Sequence, residues 1–469
     1  MVNLYSECER ETDDHWLAGM SRSPDVAAYG TGRDEAVARV QVPALRVSAE
    51  RPERSESERR SPAHPNPLKL LLLAAMAAHA APVAAEDLRP RVDYLSFAQG
   101  ALPVAIEGNA KELGVGMEQA LLAIDGNDGG YALTPKPGSA QTSIAFVYKL
   151  PALTAFKEFA VPNVLETPSP SQTFVRKVEI GGSDSGPDGP FHVLASATLE
   201  THSAKGRTTA MPVAVERPVR WVRVTMEGGI NVQRDKTFFE FSEIIGYGSQ
   251  EPVPLSDAFR GKWKGRGILL ELEQEGASVS GCYDGTGDLA GTVSGNLLRA
   301  TGRTRKGDVP STFVLAVGDD GGITGVRSTN GAPFRLYSGD AAPGIRTECS
   351  GQRVQPLGCD SIIHGINFDL DSATIRVESD KLLDALSTGL KASAASVITV
   401  VGHTSSEGSD AYNDGLSQRR AEAVVAAIVG RGVDAGRVRA EGRGEKQPIA
   451  DNATEAGRSL NRRVAIACR

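Results

Sequence analysis

The chain has 469 residues, enough for about three domains of ordinary size. Its formal net charge of -7 gives no electrostatic support for a nucleic-acid partner, and no run of about eighteen strongly apolar residues reads as a spanning helix. An aromatic content of 5% beside 51 glycines suits short strands joined by many turns.

Residues 1–66 are polar, rich in Arg and Pro and without hydrophobic period, and are expected to form a disordered extension. Lys69, the Leu/Ala run after it and the small residues up to Ala85 match a secretory signal peptide over 67–85, so the mature chain is expected to be exported. A signal so far from Met1 implies a translation start downstream of it. No Cys follows the apolar run, so no lipid anchor is expected. Four cysteines remain after cleavage, Cys282, Cys349, Cys359 and Cys468, and they allow three pairings. Cys359 precedes the first strand of the last domain and Cys468 closes its final strand. If those strands are antiparallel neighbours, a Cys359–Cys468 bridge ties the domain's ends together.

Residues 86–250 read as all-β, with strand-like runs at 143–148, 174–180, 191–195 and 219–224 spaced by Gly, Pro, Ser and Asp turns, the pattern of a sandwich. Residues 252–340 form a smaller β unit. Leu270 and Leu272 alternate with Glu271 and Glu273, and hairpin signals stand at Gly295-Asn296 and Asp320-Gly321. Six to eight short strands from Phe259 onward predict an up-and-down barrel. A Gly/Pro-rich linker is expected over 341–360. Residues 361–469 alternate strand and helix patterns: a strand at Ile363–Phe368, a helix carrying Leu382, Leu383, Leu386 and Leu390, a strand at Val397–Val401, a helix at Tyr412–Val429, then strands at Val438–Ala440 and Arg463–Ala467. That order predicts an α/β domain, βαβαββ, on a mixed sheet. The fold class expected for the whole chain is therefore multidomain: sandwich, small barrel, α/β.

Three resemblances follow from these pieces. Leu122–Asn127, the strand around Phe146, Arg220–Val224 and the closing Phe239–Tyr247 together resemble a discoidin-like (galactose-binding-like) jelly roll. The resemblance implies glycan binding at one end and a structural calcium near the Asp-Gly-Asn turn. Asp125, Asp128 and Glu243 are hard oxygen ligands of the kind calcium selects, and the competing reading is a plain turn. The loop Gly181–Asp188 is a second candidate. The middle unit resembles the small lipocalin-like barrels of exported bacterial proteins, which implies an interaction module or a spacer.

The third resemblance covers 361–469. Ile366–Ala373, the GHT, YN and LSQRRA pieces between Gly402 and Ala421, Arg439–Glu445 and Asn461–Val464 resemble an OmpA-like peptidoglycan-binding domain. It implies a diaminopimelate-containing stem peptide as ligand. Arg420 then clamps the diaminopimelate carboxylate and Asn413 hydrogen-bonds the peptide. Leu370 with Asp371 matches a Phe-Asp pair in the first loop, Leu416 is an apolar contact and Ser409 a polar one. A guanidinium fork suits a carboxylate, and a helix N-terminus adds favourable potential. One position departs from the pattern: Ser405 stands where an Asp is usual, which removes the carboxylate beside Arg420 and is expected to weaken binding about ten- to a hundredfold. Glu407 is placed to return a carboxylate to the loop. No nucleophile elbow, phosphate loop or metal-spaced His/Cys pair is present, so no enzyme is expected. The chain reads as a non-catalytic periplasmic protein of the cell envelope, associated with the wall and outer membrane without spanning it. Its partners would be peptidoglycan plus glycans or envelope proteins. The alternative is a surface adhesin with weak peptidoglycan binding.

Overall fold

The computed structural model describes residues 91–127, 143–162, 175–199, 207–228, 241–349, 354–369 and 371–469, with the backbone of three strands near the start. Those strands, β1 (Ser6–Thr12), β2 (His15–Met20) and β3 (Ser23–Gly30), form an antiparallel meander within a unit of residues 1–84. These strands, at 6–12, 15–20 and 23–30, stand where a disordered extension is expected. The expected signal peptide lies outside the described residues.

The rest of the chain, 85–469, is one compact unit built on three sheets. The first carries β4 (Leu102–Gly108), β5 (Ser143–Pro162), β6 (Lys177–Ser183), β7 (His192–Thr198), β8 (Thr208–Pro212), β9 (Pro218–Glu227) and β10 (Ile245–Gln250). Two short helices, α1 (Ala110–Leu113) and α2 (Met117–Leu122), follow β4. β5 organises this domain. Its first half pairs with β4 and β9, its second half with β8 and β10, and its register shifts between Lys149 and Thr154. Such a break lets one strand serve both layers of a sandwich. Phe146, Tyr148, Phe156 and Phe159 of β5 are all buried in the core between them.

The second sheet is an antiparallel meander of β11 (Gly261–Gly265), β12 (Ile268–Glu275), β13 (Ser278–Tyr283), β14 (Gly287–Ser294), β15 (Leu297–Thr304), β16 (Pro310–Val317) and β17 (Ile323–Thr329). The short β18 (Arg335–Leu336) pairs with β17 and β19 (Asp340–Ala341) with β11, and an antiparallel bridge between Ile323 and Gly339 closes the barrel. Phe259, Trp263, Tyr283, Phe313 and Tyr337 fill its interior, so the barrel encloses a packed core. The chain after β19 stays on the barrel. Lys262 Nζ donates to Ile345 O at 3.3 Å, and Cys282 is disulfide-bonded to Cys349.

The third sheet runs β20 (Ile362–Ile363), β23 (Val464–Cys468), β21 (Ile398–Gly402), β22 (Val438–Gly442); β21 and β22 are parallel and the other pairs antiparallel. Leu382, Leu383, Leu386 and Leu390 of α3 (Asp380–Ala392) and Val424 and Ile428 of α4 (Asp410–Gly430) bury against it. The order is βαβαβαβ, one helix more than expected. The extra α5 (Glu455–Asn461) has two turns and contains Gly457 and Ser459, too short a run for a helical period to show. The first strand is shorter than expected because Gly365, at φ +88°, turns the chain away. β20 does neighbour β23, and Cys359 is bonded to Cys468 with Cα atoms 5.4 Å apart.

The three domains share a core. Val314 and Ala316 face out of the barrel while Phe313 and Leu315 face in, which explains an uninterrupted apolar run. With Leu297 and Val326 they join Leu95 and Phe97 of the sandwich and Ala456 and Leu460 of α5 in one buried cluster.

Candidate functional site

The site begins where β21 meets α4. At Gly402 a Cβ would stand 2.4 Å from Ser417 O, so the strand end presses on the helix closely enough to require glycine. Ser409 caps α4 by accepting a hydrogen bond from Tyr412 N at 3.3 Å. Asn413 and Leu416 follow on the first two turns, and both are buried. The loop between holds His403, Thr404 and Ser405, all at most 5% exposed. Burial, with Arg463 and Arg443 beside it, pushes the His403 imidazole down to about 4, so it stays neutral and serves as a loop residue.

Arg420 lies one turn beyond Leu416. Its Nε donates to Ser372 O at 3.0 Å, and its guanidinium stacks on Phe368 at 4.9 Å from the ring centre. Burial, then the neighbouring Arg462, lowers its pKa to about 10, with Asp371 opposing; it remains a cation at neutral pH. Among the described residues no carboxylate forms an ion pair with it, and its two Nη groups have no hydrogen-bond partner. Asp371, at φ +55°, lines the same cleft. Leu370 lies outside the described residues.

The substituted position behaves differently from the expectation. Ser405 Oγ donates to Glu407 Oε2 at 3.0 Å, and Glu407 lies 3.3 Å from Arg462 and 3.8 Å from Arg458. Glu407 does return a carboxylate to the loop, but it serves Arg462 and Arg458 rather than Arg420. Glu455 holds the same two arginines, at 2.7 Å for Arg458, and they keep its carboxyl below the usual range despite its burial. Asn413 Nδ2 is given to Glu445. Motif reading did not single out Ser372, Phe368, Glu445 or the Glu455–Arg458–Arg462 set. Phe368 sits in a matching run, and Glu455 and Arg458 have i,i+3 spacing, but nothing local marks a partner about fifty residues away.

The second candidate site comes together in part. Glu243 Oε1 accepts from Gly126 N at 3.0 Å, and Asp125 Oδ1 accepts from Asn127 N at 2.8 Å in the same turn. Burial pushes Asp125 up to about 6, and burial with the Asp125 and Asp93 charges pushes Glu243 well above its usual range. Asp128 lies outside the described residues, and among those described no group of three or more His, Cys, Asp or Glu is placed to hold a metal. The turn's carbonyls are also engaged: Glu455 N donates to Asp125 O at 3.0 Å and Arg458 Nη2 to Gly126 O at 3.1 Å. Among the described residues this donor set does not fit a calcium ion. What the turn holds is α5 of the C-terminal domain, with the Arg458 cation beside the acids.

Comparison with known proteins places these parts. Residues 367–462 match the OmpA family. Outer membrane protein A of Bordetella avium is 44% identical over 99 residues, 21% of this chain and 51% of the relative, so the match spans about half of that protein. The peptidoglycan-associated lipoprotein from Burkholderia pseudomallei, a crystal structure, is 32% identical over 22% of this chain and 88% of its own, with a TM-score of 0.21. CBM32-3 from a family 31 glycoside hydrolase of Clostridium perfringens matches 34% of this chain and 95% of its own at 12% identity and a TM-score of 0.26. The C-terminal domain of this chain, residues 367–462, is a member of the OmpA family.

Proposed function

We propose that this chain is a non-catalytic protein of the bacterial cell envelope that binds the stem peptide of peptidoglycan through its C-terminal domain. The observation that carries the reading is Arg420. A buried cation fixed at Nε and at its ring face, with both Nη groups uncommitted toward a cleft, is a receptor for a carboxylate. Asn413 and Leu416 stand beside it to hydrogen-bond and pack against the peptide. Support comes from the similar peptidoglycan-associated lipoprotein, whose name states its association. The expected sequence features of export fit a periplasmic location, and the sandwich and barrel are the parts that face glycans or envelope proteins. Sedimentation with purified sacculi tests it. The wild-type chain should pellet and Arg420→Ala should remain in solution; equal pelleting of the two would remove the reading.

A further inference from the structure

The cleft that holds Arg420 has a volume of 1080 Å³, above the range of about 300–1,000 Å³ usual for ligand sites. The C-terminal domain supplies only part of its wall. Across from it stand Gln99 of the sandwich and the Ser294–Asn296 turn between β14 and β15 of the barrel.

This far wall is fastened in place. Asn296 Nδ2 donates to Gly100 O at 2.9 Å, and Arg299 donates to Ala98 O at 2.7 Å and to Ser459 Oγ at 3.1 Å. Thr292 Oγ1 accepts from His364 N at 2.9 Å and donates to His364 O at 2.8 Å. Asn367 Nδ2 reaches Ser294 Oγ at 3.3 Å, and a Cβ at Gly365 would stand 2.2 Å from Ser294 Cβ. The barrel turn thus braces the loop that carries Phe368 and Asp371, and the cleft is preformed.

The far wall adds a second kind of chemistry to the cleft. Around Arg420 it is ionic. Beside the charged Arg91, Asp93, Glu251 and Arg299, the sandwich and barrel add uncharged groups, Gln99, whose amide has no partner among the described residues, Asn296 and Ser294, with Asn367 of the C-terminal domain adjoining them. Neutral donors and acceptors on a rigid surface suit hydroxyls and N-acetyl groups, which offer the same mixed hydrogen bonding without charge.

We propose that the cleft takes a muropeptide, the stem peptide at Arg420 and its N-acetylated sugar along the wall built by Gln99 and the Ser294–Asn296 turn. The sandwich and barrel are then part of the peptidoglycan site. This rests on the stem-peptide reading and extends it. Calorimetric titration of the full chain with two soluble probes separates the two ideas: a free diaminopimelate tetrapeptide, and the same peptide on its disaccharide. One or two added hydrogen bonds should make the second probe bind about tenfold tighter, and Gln99→Ala should remove that gain while leaving the free peptide's affinity in place. Equal affinity for both probes would overturn the sugar subsite and leave the peptide reading standing. Failure of either probe to bind, with Arg420→Ala indistinguishable from wild type, would overturn both.

Discussion

Two arginines separate the cleft at Arg420 from the joint that holds the domains together. Arg299 and Arg420 are both buried, and burial lowers both to about 10. Among the described residues neither has a carboxylate ion pair. Arg299 stands on a barrel strand and has donors engaged on both other domains, at Ala98 O of the sandwich and Ser459 Oγ of α5. Arg420 commits Nε alone and keeps its fork toward the cleft. Burial and a depressed pKa are thus the same in both; what marks a receptor is the donors left uncommitted.

Truncating each arginine should break this comparison in opposite ways. Arg299→Ala empties a buried site and leaves two acceptors unpaired, a cost on the order of 3 kcal/mol, read as a lower urea midpoint. An unchanged midpoint would mean that the joint contributes nothing. Arg420→Ala should leave the midpoint close to wild type and lower stem-peptide affinity about ten- to a hundredfold, the loss expected for a charged hydrogen bond.

The Ser405–Glu407 pair sharpens the contrast within the cleft. Placing Asp at 405 alone sets a second carboxylate against Glu407, which already accepts the Ser405 hydroxyl at 3.0 Å. Ser405→Asp should therefore change affinity little. The double variant Ser405→Asp with Glu407→Ser moves the acid instead of adding one, and should tighten stem-peptide binding about tenfold. A gain in the single variant equal to that in the double would contradict the geometry.

A further test concerns the joint and pH. His364 is buried at the barrel contact with neither ring nitrogen hydrogen-bonded, and burial, then Arg299 and Arg463, lowers it to about 3. The unfolded chain binds this proton below its usual pKa near 6.5 and the folded chain does not. Its share of stability is therefore present above about 6.5 and lost as pH falls toward 3. His364→Leu should flatten the fall in urea midpoint between pH 7 and pH 4 relative to wild type. Parallel profiles would place the acid sensitivity elsewhere, with His403 the next group to test.

The sequence made periodic features legible and left contacts hidden. The α4 cap at Ser409, the leucine face of α3 and the alternation in β12 are local patterns, and each reads from a short window. The joint is not local. Gly126 meets Glu455 across the chain, where a Cβ would stand 2.4 Å from the Glu455 side chain, and no spacing announces it. The calcium expectation shows the cost of reading a motif without its surroundings. Asp125 and Glu243 do come together, yet the carbonyls beside them are occupied by α5. Likewise, the position of Glu407 was legible but its choice of Arg462 over Arg420 depended on α5, a helix that carries no period of its own.

The Cys359–Cys468 bond has a mechanical consequence. If the C-terminal domain grips the wall as proposed, tension runs between Arg420 and the chain entering at residue 359. In an open chain that tension would peel the sheet from its ends, beginning with β20. Here the entry point is covalently tied to the end of β23, which is paired with both β20 and β21. Load entering at Cys359 is divided between the two ends of the domain. The hydrogen bonds between β23 and β21 then meet it together, in shear, instead of opening one after another like a zip.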